Sequence, residues 1–500
     1  MAQQGQDLGA VMKVWESSEG DWLVSCLVGL QVSVNLCFCG VIFGYASLQL
    51  LFEEDGVFRS MCGAGEAGCE KQVQSLLLVY TLGSSFQVFS SFPVGILVDA
   101  LGPVFCTLLG GAMCVTGLLL FGHSAPDSIV TFSIGSILLS LGGTITFVSS
   151  FLLGFIVKKR HVSYVMTLLN CAFDGSTAIF LIFYLITHFL GVSRQAIFTA
   201  YAMLGVCIYA PLAILWSHSG EPALLQRKQE ARTAAKFRGP QTDQSSVQLA
   251  EAHPEQPACL DDALSVEGCD DSDNKIPPPS AVATKDHERH SDFHKLHWWQ
   301  QLNSTRFVCL ALFGSVHLYR ANAYMGVIKN VLFKLGDDKY GYLYTTIYSA
   351  MLPLGAVFIP LIDWLIYNHE FHRQMQICTF LGFVYGSLAL VPNLPLQVVT
   401  FAFFCLFRAL FYSVVGTYSV QIFGPINAGR SYGCVWMLGS VLNLLVWPAL
   451  IITDRFAGGS YLPFNVFLLS LCIPLAFSTE LVLKPSLAEV HGAQRPTRDS

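Results

Sequence analysis

Apolar runs of about 20 to 30 residues recur along the chain, separated by short charged or turn-forming breaks. At 1.5 Å of rise per residue, such a run crosses a hydrocarbon core of roughly 30 Å. The runs predict helices near 22–52, 74–99, 104–123, 128–157, 162–190 and 195–217, and again near 304–334, 341–367, 372–391, 396–423, 430–452 and 460–483. Between the two sets, residues 218–303 are rich in Gln, Asp, Glu, Ser, Pro and Lys, with the prolines of Pro277–Ser280 and the acidic run Asp270–Asp273. That composition buries too little apolar surface to offset chain entropy, so it reads as a disordered loop. The expected architecture is an all-α membrane protein of 12 transmembrane helices: bundles at 22–217 and 304–483, tails at 1–21 and 484–500, and a cytosolic loop at 218–303.

Composition agrees with the pattern. Of the 500 residues, 53% are hydrophobic and 12% charged, about half the charged share of a soluble protein. A net charge of -6 is small for this size and points to no nucleic-acid partner. Most of the 16 cysteines sit in apolar tracts, where they read as small hydrophobes. Residues 1–21 lack the basic segment and short apolar core of a cleavable signal.

Basic residues near helix ends set orientation. Lys158, Lys159 and Arg160, then Arg227, Lys228 and Arg232, then Lys295 and Arg306, place both termini and the central loop in the cytosol. Cys62 and Cys69 then fall in the first external loop, where a disulfide is expected, with two free thiols as the alternative. His287, His290, His294 and His297 precede Trp298 and Trp299. Interfacial tryptophans make an anchoring helix the reading there, and no metal site is expected.

Charged side chains at mid-membrane cost at least about 2.5 kcal/mol and mark pathways or pairs. Four helical faces carry polar residues at one-turn spacings: Gln31 and Asn35; Asn170, Asp174 and Thr177; His317, Arg320 and Tyr324; Arg408, Tyr412 and Gly416. In one reading, Arg320 or Arg408 holds an anionic or hydrogen-bonding part of a solute while Asn35, Asn170 and Tyr324 orient it. In the other, Asp174 pairs with Arg408 and joins helices without touching substrate. Asp174 as a coupling-proton carrier is a further alternative, opposed by the tendency of a carboxylate beside a cation to stay ionised. Phe43, Phe180 and Phe411 are candidate apolar walls. The sequence offers no paired catalytic carboxylates, nucleophile elbow or phosphate-binding loop, so neither an enzyme nor a cofactor is expected.

Gly95, Leu97, Asp99 and Gly102 end the second span in a spacing that resembles the loop signature of the major facilitator superfamily, and Asp363 stands at the corresponding place in the second half. The family's usual basic residues are replaced by Pro103, Val104 and Phe105. In the signature, the glycines permit close helix approach and the aspartate latches a neighbouring helix N-terminus. The segments at 34–48, 167–182, 319–332, 343–351 and 391–416 resemble solute carrier family 43, which contains facilitative large neutral amino acid transporters and an equilibrative nucleobase transporter. The resemblance implies a sodium-independent uniporter at the plasma membrane, carrying a neutral amino acid or a nucleobase, and a monomer is the expected unit. Arg320 and Tyr324 favour the amino acid branch, and the stretch around Asp174 the nucleobase branch. The expectation drawn is large neutral amino acids, with a nucleobase as the alternative. The rival from another class is a receptor or scaffold acting through 218–303.

Overall fold

The computed structural model describes residues 18–62, 69–157, 162–220, 298–457 and 460–483. Tails 1–17 and 484–500, most of the central loop and the histidine stretch lie outside the described residues. The described backbone is helical, with no strand among the described residues. In chain order the helices are α1 (18–54), α2 (70–101), α3 (103–123), α4 (Ile129–Ser150), α5 (162–190), α6 (194–220), α7 (Thr305–Lys334), α8 (343–368), α9 (Phe371–Ala389), α10 (Leu394–Ser419), α11 (430–457) and α12 (462–483). A short helix, Trp298–Leu302, precedes α7.

By length and apolarity alone, seven helices qualify as spans, or nine when α2 and α8 are counted as bent spans. Helix α7 falls short because its buried positions include His317, Arg320, Asn322, Lys329 and Asn330. That polarity is a functional signal rather than an argument against membrane burial.

Two boundaries differ in kind from the sequence expectation. Between α2 and α3 helical bonding continues through Gly102, whose φ of 78° breaks the axis at a conformation that suits glycine. Between α10 and α11 the backbone is helical without a gap from Leu394 to Asn443, so the expected interruption near 424–429 is a change of polarity only.

Helix α1 is deliberately irregular. It passes through a π turn at Asn35–Cys39 and a 3-10 turn at Val41–Gly44 before resuming at Tyr45. Carbonyls freed in lipid need new donors. Tyr201 Oη donates to Cys37 O at 2.5 Å, Gln87 Nε2 to Cys39 O at 2.5 Å, and the Gly40 amide donates to Ser176 Oγ at 2.8 Å. Helix α5 is broken at the same level, by a 3-10 turn at Ser176–Ala178. A Cβ on Gly44 would collide with the Thr177 carbonyl, so the paired breaks draw α1 and α5 together. They bring Phe43 and Asp174 to the same region.

The two halves meet along a seam bonded toward the end of the molecule that carries the α1–α2 turn. There Cys62 and Cys69 form a disulfide with Cα atoms 5.7 Å apart. Gln49 donates to Asn330 at 2.8 Å, Lys329 forms an ion pair with Glu53, and Ser47 donates to Ser349 at 2.7 Å. Trp447 Nε1 donates to Gln74 O at 3.1 Å, and Asn443 reaches Ser84 and Ser85 at 3.1 and 2.8 Å.

Candidate functional site

Near the middle of the seam α5 of the first half faces α10 of the second. Arg408 Nη2 lies 3.1 Å from Asp174 Oδ1. Arg408 is 2% exposed, and neither Nε nor Nη2 makes a directed hydrogen bond, so the contact is Coulombic rather than a fork-to-fork pair. The guanidinium carbon sits 5.5 Å from the centre of the Phe43 ring and 5.6 Å from that of Tyr412, both within cation–π range. Tyr412 in turn packs against Trp436, with ring centres 5.1 Å apart. Tyr80 stacks on Tyr45 at 4.6 Å, and Tyr45 stands two residues along α1 from Phe43. Gly355 of α8 closes the group, since a Cβ there would stand 4.0 Å from Asp174 Oδ2. A cation with unspent donors, a carboxylate and flat aromatic walls are thus assembled from both halves.

The other sequence candidates are placed differently. Arg320 is also buried, but its Nη2 donates to Gly382 O at 2.6 Å, its Nη1 lies 3.3 Å from His317 Nδ1, and its guanidinium rests 5.3 Å from the Tyr385 ring. His317 continues to Thr379 at 3.1 Å. Gly382, Thr379 and Tyr385 all belong to α9, so this face of α7 meets its own bundle. Arg320, expected as one of two arginines to hold an anionic or hydrogen-bonding part of the solute, here directs its terminal nitrogens into its own bundle. A cavity of about 10 Å³ bordered by Arg320, Tyr324, Tyr385 and Asn465 has room for about one water molecule and none for an amino acid. Tyr324 is buried on the same side, against Tyr385 and Phe404, with its hydroxyl unbonded.

Asn35 is fully buried inside the first half. It accepts from Gln31 at 3.2 Å and from Cys39 at 3.4 Å, donates to Ser150 at 3.3 Å, and is linked through Gln31 to Trp216. Its amide holds the π turn in place. Asn170 is exposed and turns back on its own helix, donating to Met166 O at 2.8 Å. Of the three proposed apolar walls, Phe43 reaches the site. Phe180 packs against Phe183 and Phe198 within the first half, and Phe411 against Phe407 and Trp436.

In the loop signature, a Cβ on Gly95 would meet nothing within 4 Å, which corrects its expected role in helix approach. The close approach at that level is made by Gly433 of α11, whose Cβ would lie 3.0 Å from Phe92 Cα. Asp363 is exposed on α8, and the Asp99 side chain lies outside the described residues. Among the described residues no group of three or more His, Cys, Asp or Glu side chains could hold a metal ion.

Sequence reasoning did not single out Tyr80, Trp436, Glu53, Lys329 or Asn322. The signal available for the last two was their spacing of seven along α7, on the face opposite Arg320.

Comparison with known proteins agrees with this architecture. The chain is 25% identical over 444 residues to Protein FMP42 of Saccharomyces cerevisiae, covering 83% of this chain and 86% of the relative. It is 22% identical over 445 residues to equilibrative nucleobase transporter 1 of Bos taurus, covering 83% and 86%. A segment of 134 residues is 28% identical to large neutral amino acids transporter small subunit 3 of Mus musculus, covering 24% and 23%. These relatives are consistent with solute carrier family 43. The fold matches the crystal structure of a POT family transporter in complex with 5-aminolevulinic acid, with a TM-score of 0.56 at 11% identity over 91% of this chain and 95% of that one. A peptide transporter POT structure matches with a TM-score of 0.60 at 11% identity, over 93% and 95%. The Major Facilitator Superfamily description matches residues 64–483, and the chain belongs to that superfamily of membrane transporters.

Proposed function

We propose that the chain is a facilitative, sodium-independent uniporter that carries a planar nucleobase between its halves by alternating access. The observation that carries this reading is Arg408: buried on the seam, set among aromatic rings, and holding two nitrogens without a hydrogen bond. Flat aromatic walls suit a planar ring, and a guanidinium beside a carboxylate supplies donors and an acceptor to its edge. The amino acid reading leaned on Arg320, which is engaged with α9. The extent of likeness supports the same choice, since the bovine nucleobase transporter aligns with 83% of the chain and the murine amino acid transporter with 24%. The plasma membrane is the proposed location and a monomer the proposed unit.

One observation favours large neutral amino acids as the second reading. The opposite charges of Asp174 and Arg408, 3.1 Å apart, are complementary to the ammonium and carboxylate of a zwitterion. Uptake of radiolabelled adenine and leucine into proteoliposomes separates the two. The expected result is adenine entry that ignores sodium and an imposed pH gradient, with no leucine entry. Leucine entry without adenine entry reverses the assignment.

A further inference from the structure

Asn322 is 0% exposed, and neither its amide nitrogen nor its amide oxygen has a hydrogen-bond partner. A buried amide left unpaired at both ends is costly, so it calls for an explanation.

Its place on α7 supplies one. Ser315, Leu318, Gly326 and Lys329 stand at seven- and four-residue spacings from Asn322, so all five share a face. Ser315 and Leu318 back onto Gly439 of α11. A Cβ on Gly326 would lie 2.9 Å from the Tyr80 ring and 3.0 Å from Leu77 of α2, and Lys329 pairs with Glu53 of α1. Tyr80 Oη donates to the backbone oxygen of Asn322 itself at 3.2 Å. From Asn322 onward this face meets the first half, while its earlier turns rest on α11; the Arg320 face on the opposite side meets α9. Tyr80 stacks on Tyr45, two residues along α1 from the Phe43 ring that lies under Arg408, so through Tyr80 the backbone of Asn322 is tied to the aromatic region of the Asp174–Arg408 pair.

We infer that Asn322 is a specificity-determining residue, whose amide pairs edge-on with an adjacent donor and acceptor on the transported ring. The inference rests on the proposed nucleobase reading and deepens it. An amide presents one donor and one acceptor in a plane, the complement of adenine's exocyclic amine and the ring nitrogen beside it. A site built to bond a particular edge rejects the analogue that lacks it, because the site's own buried groups are then left unpaired. Arg408 and the rings hold any flat heterocycle, and Asn322 chooses among them.

The test compares uptake of adenine with that of unsubstituted purine, which lacks the amine, by full-length protein in proteoliposomes. Wild type is expected to prefer adenine by roughly tenfold to a hundredfold. In Asn322→Ala and Asn322→Leu that preference falls to about one, while purine uptake is retained. A second measurement needs no transport: without solute, Asn322→Leu melts no lower than wild type, because an orphaned amide contributes nothing to the empty fold. A preference that survives in both variants overturns the inference, and so does an Asn322→Leu protein that melts well below wild type. A wild-type protein that carries no nucleobase sinks the proposed function itself. A wild type that carries adenine with unchanged selectivity in the variants sinks only the role of Asn322.

Discussion

Two buried arginines, each near the middle of a second-half helix, have opposite fates. Arg320 directs both terminal nitrogens within its own bundle, to a backbone carbonyl and a histidine, rests on a ring there, and leaves Nε alone unbonded. Arg408 faces across the seam to a carboxylate of the other half and keeps two nitrogens without directed bonds. Desolvation costs both guanidinium groups alike, so the difference lies in what balances it. A cation satisfied by its own bundle moves with that bundle as a rigid part. A cation balanced across a seam is released whenever the seam rearranges, and its donors are free to meet a solute.

The largest effect should come from the seam pair. Arg408→Ala strands Asp174, and loss of one partner of a buried pair costs about 3 to 5 kcal/mol, toward the lower figure here because the Asp174 side chain is 24% exposed. Uptake should fall on the order of a hundredfold, and Arg408→Lys should not restore it, since an ammonium cannot present a planar fork. The sharper measurement is the double variant Asp174→Asn with Arg408→Gln. If the pair were only a joint between helices, thermal stability and uptake would return together. We expect stability to return and uptake to stay lost.

Arg320→Met should show the reverse pattern. Losing charge-assisted bonds to Gly382 and His317 costs about 2 to 3 kcal/mol of stability, visible as a lower melting temperature. The KM for uptake by molecules that reach the membrane should be unchanged. A raised KM would put Arg320 back among the solute's contacts and break the comparison.

Lys329→Met leaves Glu53 unpaired at the bonded end of the seam, where the two side chains are 4% and 13% exposed. We expect a cost of about 1 to 3 kcal/mol, less than for the central pair, and restoration of stability by adding Glu53→Gln. The smallest effects belong to the α2–α3 break. Gly102→Ala must hold a side chain at φ 78° and should cost about 1 to 2 kcal/mol, whereas Gly95→Ala has open space around it and should stay within about 0.5 kcal/mol.

The helices were legible because a lipid-spanning helix must be long and apolar, and that requirement is written residue by residue. Which residues share a face was legible as well: His317 and Arg320 do share one, and they contact each other. The direction that face takes was not. Periodicity relates a residue to its own helix, whereas the neighbour it meets depends on how the helix is rotated in the bundle. Arg320 and Asn322 differ by two positions, and that rotation sends one into α9 and the other toward the first half. The breaks in α1 and α5 were hidden for a related reason. The bonds that make a π turn tolerable at Asn35–Cys39 come from Gln87, Tyr201 and Ser150, all distant in sequence. The equivalence of Gly95 to a helix-contact glycine failed because the approach at that level is made from the opposite side, by Gly433.

The Lys329–Glu53 ion pair, with the amide bond from Gln49 to Asn330 beside it, has a kinetic meaning under alternating access. Whenever that mouth of the carrier opens, these groups must part and rehydrate, whatever cargo is aboard. Solutes that bind with very different strengths should then converge on one maximal turnover, set by the clasp and not by the passenger.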